Sequence, residues 1–182
     1  MRIIFTILSI AAIYLVSSCS SDDGSSTTGN TQEYFKYTVD GVERIFDNEV
    51  EIHIETSSTT NLIKFEFNAN GISPNTNDFR RVAGTFSFPD MATFNSSTIY
   101  DWGVSDGVTK GFYFSETTST NLFFISPDFS INPITATITT AIPTNVGDFI
   151  EFSFTGSYVD SANATHSISG VCRAERDLDQ NL

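Results

Sequence analysis

The sequence predicts an all-β domain, either an antiparallel β-sandwich or a closed β-barrel of about ten strands, preceded by a signal peptide and a flexible tether. Short segments from Tyr34 onward alternate apolar and polar residues with a period of two. Turn residues such as Asp40 and Gly41 separate these segments. No segment after residue 32 has a convincing helical period.

The first 18 residues form an apolar leader. A nearly unbroken apolar run, Ile3–Val16, follows the basic residue Arg2. It is too short to cross the roughly 30 Å hydrocarbon core comfortably, which takes about 20 residues. A short basic start and an apolar run of this length are typical of a secretory signal peptide, so residues 1–18 are assigned to one.

The end of the leader resembles a bacterial lipobox. Val16, Ser17 and Ser18 place a branched residue and two small residues before Cys19. The resemblance implies that Cys19 carries a covalent lipid, so that the lipid bilayer is a partner through the acyl chains. One chain binds weakly, at about 0.8 kcal/mol per buried methylene, whereas two or three hold a protein on a membrane. An ordinary secretory signal is the alternative, and it leaves the position of this cysteine unexplained.

Residues 19–32 are expected to form a flexible tether, because no apolar residue lies between Cys19 and Tyr34. Its start, Ser20, Ser21, Asp22 and Asp23, resembles the acidic export signal of surface-exposed lipoproteins in the Bacteroidota. That resemblance implies an outer-membrane protein that faces the cell exterior. A tether that is merely polar is the alternative.

Residues 33–182 are predicted to form the single β domain, and its first half contains a hairpin and a strand pair. YFKYTV and VERIF flank the Asp40–Gly41 turn. VEIHIE (50–55) and LIKFEFN (62–68) both alternate strictly and are expected to pair. A long connection (68–81) and the short strand GTFSF (84–88) follow.

The second half of the β domain is predicted to contain two more hairpins. STIYDWGV (97–104) and VTKGFYFS (108–115) flank one turn, and NLFFIS (121–126) is apolar enough for a central strand. PITATITT (133–140) alternates, and DFIEFSFTGSYVD (148–160) with THSISGVCRAERD (165–177) forms the closing hairpin. Alternation in the last segment predicts that Cys172 is a buried structural thiol.

The closing hairpin carries a second resemblance. Residues 147–177, with a Phe-x-Gly-x-Tyr core, are similar to the C-terminal end of small Bacteroidota outer-membrane lipoproteins of unknown function. With the lipobox and the acidic tether, this resemblance implies a surface or periplasmic β-sandwich lipoprotein. It implies no activity.

Composition excludes one class of partner. The formal net charge of −13 repels a nucleic-acid backbone, so no nucleic-acid binding is expected. The 17 phenylalanines predict an aromatic-rich core.

The sequence predicts no metal centre. The two histidines, His53 and His166, are too few for a His-rich site. Glu51, His53 and Glu55 share one face of a strand, but side chains two apart project in parallel, which favours a solvated face. The acidic residues in the predicted turns do not have the spacing of an EF-hand, so a Ca²⁺ site is unsupported. No cofactor is expected apart from the covalent lipid at Cys19.

One aromatic group is a candidate ligand platform. Tyr100 and Trp102 share a face of one predicted strand, and Tyr113 lies in the next. Such a platform stacks against sugar rings. Core packing explains the same aromatics and is favoured.

Two classes of function follow from these observations. The first is a membrane-anchored lipoprotein whose non-enzymatic β domain binds or presents a glycan or a surface protein. The alternative is a carboxylate-dependent hydrolase such as a glycosidase, which needs two acids about 5 to 10 Å apart. No nucleophile or metalloprotease motif is present, but no linear pattern would reveal an acid pair brought together from distant strands.

Overall fold

The computed structural model describes residues 32–56, 63–72, 78–103, 110–118, 122–123 and 125–181. These residues form twelve strands and one short helix within a compact unit, Gln32–Leu182. In chain order the elements are β1 (Tyr34–Val39), β2 (Val42–Phe46), β3 (Asn48–Thr56), β4 (Ile63–Ile72), β5 (Phe79–Phe88), α1 (Met91–Ser96), β6 (Ile99–Asp101), β7 (Gly111–Thr118), β8 (Leu122–Phe123), β9 (Ile134–Ile138), β10 (Phe149–Val159), β11 (Thr165–Glu175) and β12 (Gln180–Asn181).

Two six-stranded sheets pack face to face. Sheet 1 has the order β2-β1-β11-β10-β9-β6, and sheet 2 has the order β12-β3-β4-β5-β7-β8. All pairs are antiparallel except β12 with β3. The predicted all-β class is confirmed, and of its two architectures the protein adopts the sandwich, because each sheet keeps two separate edges.

The first hairpin and the closing hairpin are both confirmed. Asp40 and Gly41 have φ angles of +48° and +83°, the left-handed conformation that a two-residue type I′ turn requires. Val39 pairs with Val42 directly beside this turn. β10 and β11 pair along their whole length, from Phe149–Glu175 to Val159–Thr165.

The predicted pairing of β3 with β4 is also confirmed. Ile52 lies opposite Phe67, and Ile54 lies opposite Phe65. All four side chains are buried between the sheets, as their alternation predicts. The expected long connection after β4 is shorter than predicted, because β4 continues to Ile72 and β5 begins at Phe79.

The predicted hairpin at residues 97–115 is wrong. β6 pairs with β9 in sheet 1, whereas β7 pairs with β5 in sheet 2, so the chain changes sheet here. Among the described residues, the two segments meet at an isolated parallel bridge between Trp102 and Phe112. Turn residues indicate a change of direction without specifying which sheet receives the next strand.

Two smaller expectations also need correction. β8, within the apolar NLFFIS segment, lies at the end of sheet 2 and is not central. A single helical turn, α1, follows β5 where no helix was expected. Asp90 begins it, because its side chain accepts a hydrogen bond from the Thr93 amide at 2.7 Å.

Aromatic rings fill the space between the sheets. Phe35 of sheet 1 stacks on Phe67 of sheet 2 at 5.2 Å, and Phe86 contacts Phe152 edge to face at 4.8 Å. Cys172 is 2% exposed in this core, which confirms the predicted buried thiol, and burial raises its pKa.

The free edge of β3 is covered by the segment that leads into β12. The Asp177 carboxylate accepts a hydrogen bond from the Ile52 amide at 3.0 Å, and the Asp179 carboxylate accepts one from the Ile54 amide at 3.3 Å. Arg176 holds Asp179 in place with three hydrogen bonds, at 2.8, 3.0 and 3.3 Å. Carboxylates therefore occupy donors that an exposed edge would offer to another strand.

Candidate functional site

The predicted lipidation and export residues lie outside the described part of the chain. They are Cys19, Ser20, Ser21, Asp22 and Asp23. Lipidation at Cys19 and export through the acidic residues therefore stay predictions.

The aromatic residues proposed as a platform lie mostly in the core. Tyr100 is 0% exposed and Trp102 is 2% exposed. The Trp102 indole donates a hydrogen bond to the Ser126 carbonyl at 3.0 Å and contacts the half-buried Tyr113 at 5.2 Å. Burial raises the pKa of Tyr100 to about 12. Tyr100 and Trp102 therefore pack in the core, the interpretation that the sequence favours, and they do not form an exposed platform.

A row of hydroxyl groups crosses the outer face of sheet 1. Thr38, Ser169, Thr155 and Thr135 lie opposite one another on β1, β11, β10 and β9, and they form the hydroxyl row. Adjacent strands lie about 4.8 Å apart, so the hydroxyls repeat at that interval. Thr38, Ser169 and Thr155 form no side-chain hydrogen bond within the described residues, which leaves these three hydroxyls available to a ligand.

An acidic residue lies at each end of the hydroxyl row. Glu43 pairs with Thr38 at one end, and Asp101 pairs with Thr135 at the other. The Thr135 hydroxyl donates a hydrogen bond to Asp101 Oδ1 at 3.4 Å. Five strand intervals separate the two acids, a distance of about 24 Å. They are too far apart to act on one glycosidic bond.

The hydroxyl row borders a shallow depression of about 350 Å³. A second row of outward side chains, Lys36, Val171, Ser153 and Thr137, lines its other side. Phe154 and Gly170 also line it, and both belong to the inward-facing positions of their strands, so their backbone forms the floor. The depression is open and mixes hydroxyl groups with the apolar side chain of Val171.

The most deeply buried acid is held by two cations and a phenol. Glu116 is 1% exposed, and its carboxylate accepts hydrogen bonds from Arg44 at 3.0 Å, from Arg80 at 2.9 Å and from the Tyr37 hydroxyl. Burial and the Glu116 charge raise the pKa of Tyr37. This network ties the sheets together and presents no free carboxylate.

His166 lies between two carboxylates beside the first hairpin. Its Nδ1 lies 2.6 Å from Asp40 Oδ2, and its Nε2 lies 3.2 Å from Asp160 Oδ2. The ring stacks on Tyr158 at 5.0 Å. Hydrogen bonds to Asp40 and then Asp160 raise the pKa of His166. Both nitrogens are occupied, so this ring has no atom to offer a metal ion.

His53 has different surroundings and corrects the expected solvated face of β3. The residue is only 6% exposed, and one ligand atom from each of His53, Glu55 and Glu66 lies within 4.8 Å of the other two. Glu66 lies on β4, directly opposite His53, and no pattern within a single strand reveals it. Glu51, the third residue of the expected group, hydrogen bonds to Asn68 at 3.2 Å instead.

The hydroxyl row was missed by sequence analysis, although its signal was present. Thr135 and Thr155 occupy outward positions of alternating segments, which indicates a polar outer face. The register between strands determines which hydroxyls align. That register cannot be read from the sequence of a single segment.

Within the described residues, no helix combines the length and apolar character needed to cross a bilayer. No protein-family model, curated protein or solved structure matches this chain.

Proposed function

We propose that this protein is a lipid-anchored lipoprotein of the outer membrane that presents its β-sandwich to the cell exterior and binds a neutral glycan without cleaving it. The anchor and the orientation rest on the lipobox at Cys19 and on the acidic residues Asp22 and Asp23. The hydroxyl row is the observation that supports a glycan as the ligand.

A hydroxyl group both donates and accepts hydrogen bonds, as the hydroxyls of a sugar do. Three members of the hydroxyl row have no side-chain partner within the described residues, and they lie beside an open depression of about 350 Å³. No member of the row is apolar. A protein partner would favour an apolar centre with aromatic anchors, so the row supports a glycan over a protein.

The same geometry argues against the hydrolase alternative on this face. Glu43 and Asp101 lie about 24 Å apart across the sheet, whereas a glycosidase needs its acids about 5 to 10 Å apart. The buried Glu116 is bound by Arg44 and Arg80 and offers no second acid across a groove.

Affinity electrophoresis of the full chain in gels that contain soluble xylan, mannan or dextran tests the proposal. We expect at least one polysaccharide to retard the protein. Thr155→Val and Ser169→Ala each remove one hydroxyl from the centre of the row, and each loss should weaken binding roughly 2- to 12-fold, the value of one hydrogen bond. Thr117→Val, an exposed threonine of sheet 2, is the matched control and should bind normally.

Two results contradict the proposal. The first is the absence of retardation by any of the polysaccharides, and the second is equal retardation of wild type, Thr155→Val and Ser169→Ala. Release of reducing sugars from a retarding polysaccharide would instead support the hydrolase.

A further inference from the structure

Three metal-ligating side chains converge on the outer face of sheet 2. His53 and Glu55 lie two positions apart on β3, and Glu66 lies opposite His53 on β4. One ligand atom from each falls within 4.8 Å of the others. Directly opposite residues have Cβ atoms about 4.5 to 5.5 Å apart, so side chains meet across the strand pair although they run parallel along one strand.

The imidazole of His53 is buried without a hydrogen-bond partner among the described residues. The segment after β11 covers it, and His53 shares a depression of about 330 Å³ with Arg176, Leu178 and Gln180. His166, the other histidine, has a carboxylate at each ring nitrogen. His53 is therefore the histidine with a lone pair to donate.

The two carboxylates of the cluster repel each other. Burial, followed by the hydrogen bond and the charge of Glu66, raises the pKa of Glu55. The Lys64 ammonium lies 3.7 Å from Glu55 and 3.3 Å from Glu66, and it partly neutralises both. The Lys64 side chain is 31% exposed on the outer face of sheet 2, so it can turn away toward solvent.

We propose that His53, Glu55 and Glu66 bind one divalent ion of the Zn²⁺ class, which displaces the Lys64 ammonium from between the two glutamates. One imidazole nitrogen with two carboxylate oxygens is a donor set that Zn²⁺ accepts, whereas Ca²⁺ and Mg²⁺ prefer oxygen ligands throughout. Three protein ligands leave a fourth position for water or for a donor atom of a ligand.

The geometry requires only small movements. Zn²⁺ binds these atoms at about 2.0 to 2.2 Å, which places tetrahedral donors about 3.4 Å apart. The present donors lie within 4.8 Å of one another, so rotation of the glutamate side chains can close the remaining gap. The strands themselves stay in place.

Zn²⁺ titration of the full chain, purified in detergent and stripped with a chelator, tests the site. Competition with a fluorescent zinc indicator should report one tightly bound ion per chain, and a tenfold excess of Ca²⁺ should not displace it. Glu66→Gln keeps the side-chain volume but removes a ligand, and should weaken binding by about tenfold or more. Glu51→Gln, on the same strand and face but outside the cluster, should bind as wild type.

Lys64→Gln gives a result that misfolding cannot imitate. Removal of the competing ammonium should strengthen Zn²⁺ binding, whereas loss of structure would weaken it. Circular dichroism verifies that each variant keeps the β-sheet spectrum of wild type.

The two imidazole rings provide an independent readout. Long-range ¹H–¹⁵N spectra contain signals from His53 and His166 only. Zn²⁺ should shift the His53 signals and leave those of His166 in place, and His166→Asn should bind Zn²⁺ normally. The proposal is overturned if wild type binds no stoichiometric Zn²⁺, if folded Glu66→Gln binds equally well, if Lys64→Gln binds no more tightly, or if the ion shifts His166 instead.

Discussion

The carboxylate of Glu116, from sheet 2, accepts a hydrogen bond at 3.0 Å from the guanidinium of Arg44, from sheet 1. Arg80 reaches the other carboxylate oxygen at 2.9 Å, and Glu116 is 1% exposed. An ionic contact thus joins the two sheets within a largely apolar interior.

Glu116→Gln should destabilise the protein by about 3 kcal/mol, because it leaves two cations facing a neutral amide. This value lies at the low end of the 3–5 kcal/mol range for a broken buried pair, since Arg44 and Arg80 are about a quarter exposed. Urea unfolding measures it. Glu43→Gln, an exposed acid, should change the free energy of unfolding by less than about 0.5 kcal/mol. If both variants lose the same free energy of unfolding, the buried ion pair does not contribute to stability.

Gly170→Ala should destabilise sheet 1. A Cβ at this position would lie 2.3 Å from the Phe154 ring and 2.6 Å from the Lys36 carbonyl oxygen. Overpacking of this kind costs about 1 to 3 kcal/mol, measurable by thermal unfolding. Gly103→Ala is the control, because its nearest atom, the Pro127 carbonyl oxygen, lies at 3.9 Å. A similar loss in both variants would contradict the close packing of Phe154 on β11.

His166 should make stability depend on pH. Asp40 and Asp160 raise its pKa above 6.5, so the protonated ring stabilises the fold fully below pH 6.5, and this contribution is lost as pH rises through the raised pKa. The difference in melting temperature between wild type and His166→Asn should therefore be larger at pH 5.5 than at pH 9. NMR titration should give an elevated pKa for His166 that falls in Asp40→Asn. If the pKa of His166 is unchanged in Asp40→Asn, Asp40 does not cause its elevation.

Cys19→Ala should yield a chain without acyl groups that the lipoprotein peptidase leaves uncleaved. The thiol supplies the atom that takes the lipid, so its loss removes the modification without touching the β-sandwich. Metabolic labelling with a fatty-acid probe checks this, with Cys172→Ala as the matched control that keeps its label. Equal label on Cys19→Ala would contradict the lipobox.

Replacement of both Asp22 and Asp23 by Ala should move the protein from the cell surface to the inner leaflet of the outer membrane. These are the only charged residues between Cys19 and Glu33, so they are the available export signal. Protease treatment of whole cells should cut wild type and spare the double variant. If both proteins are cut, the acidic pair does not direct export.

Sequence analysis predicted the features that depend on neighbouring residues. Alternation placed Ile52 and Phe65 inside, and Asp40–Gly41 specified its hairpin, because side-chain period and turn conformation are local properties. The helix after Asp90 was missed, since a single turn contains too few residues to display a period.

Features that depend on distant residues were not predictable in this way. The burial of His53 depends on a segment more than a hundred residues later, and its position opposite Glu66 depends on strand register. The chain's change of sheet after Asp101 depends on β9, the partner of β6. Candidate sites in this protein arise from alignment between strands, which individual segments do not encode.

The position of β1 determines when the fold can be completed. β1 lies between β2 and β11, and the Glu175 amide donates to the Glu33 side chain, 142 positions away along the chain. During synthesis β1 and β2 emerge early, but their sheet partner β11 emerges only after most of the domain. Contacts of such long range slow folding, so sheet 1 cannot be completed until nearly the whole domain is available.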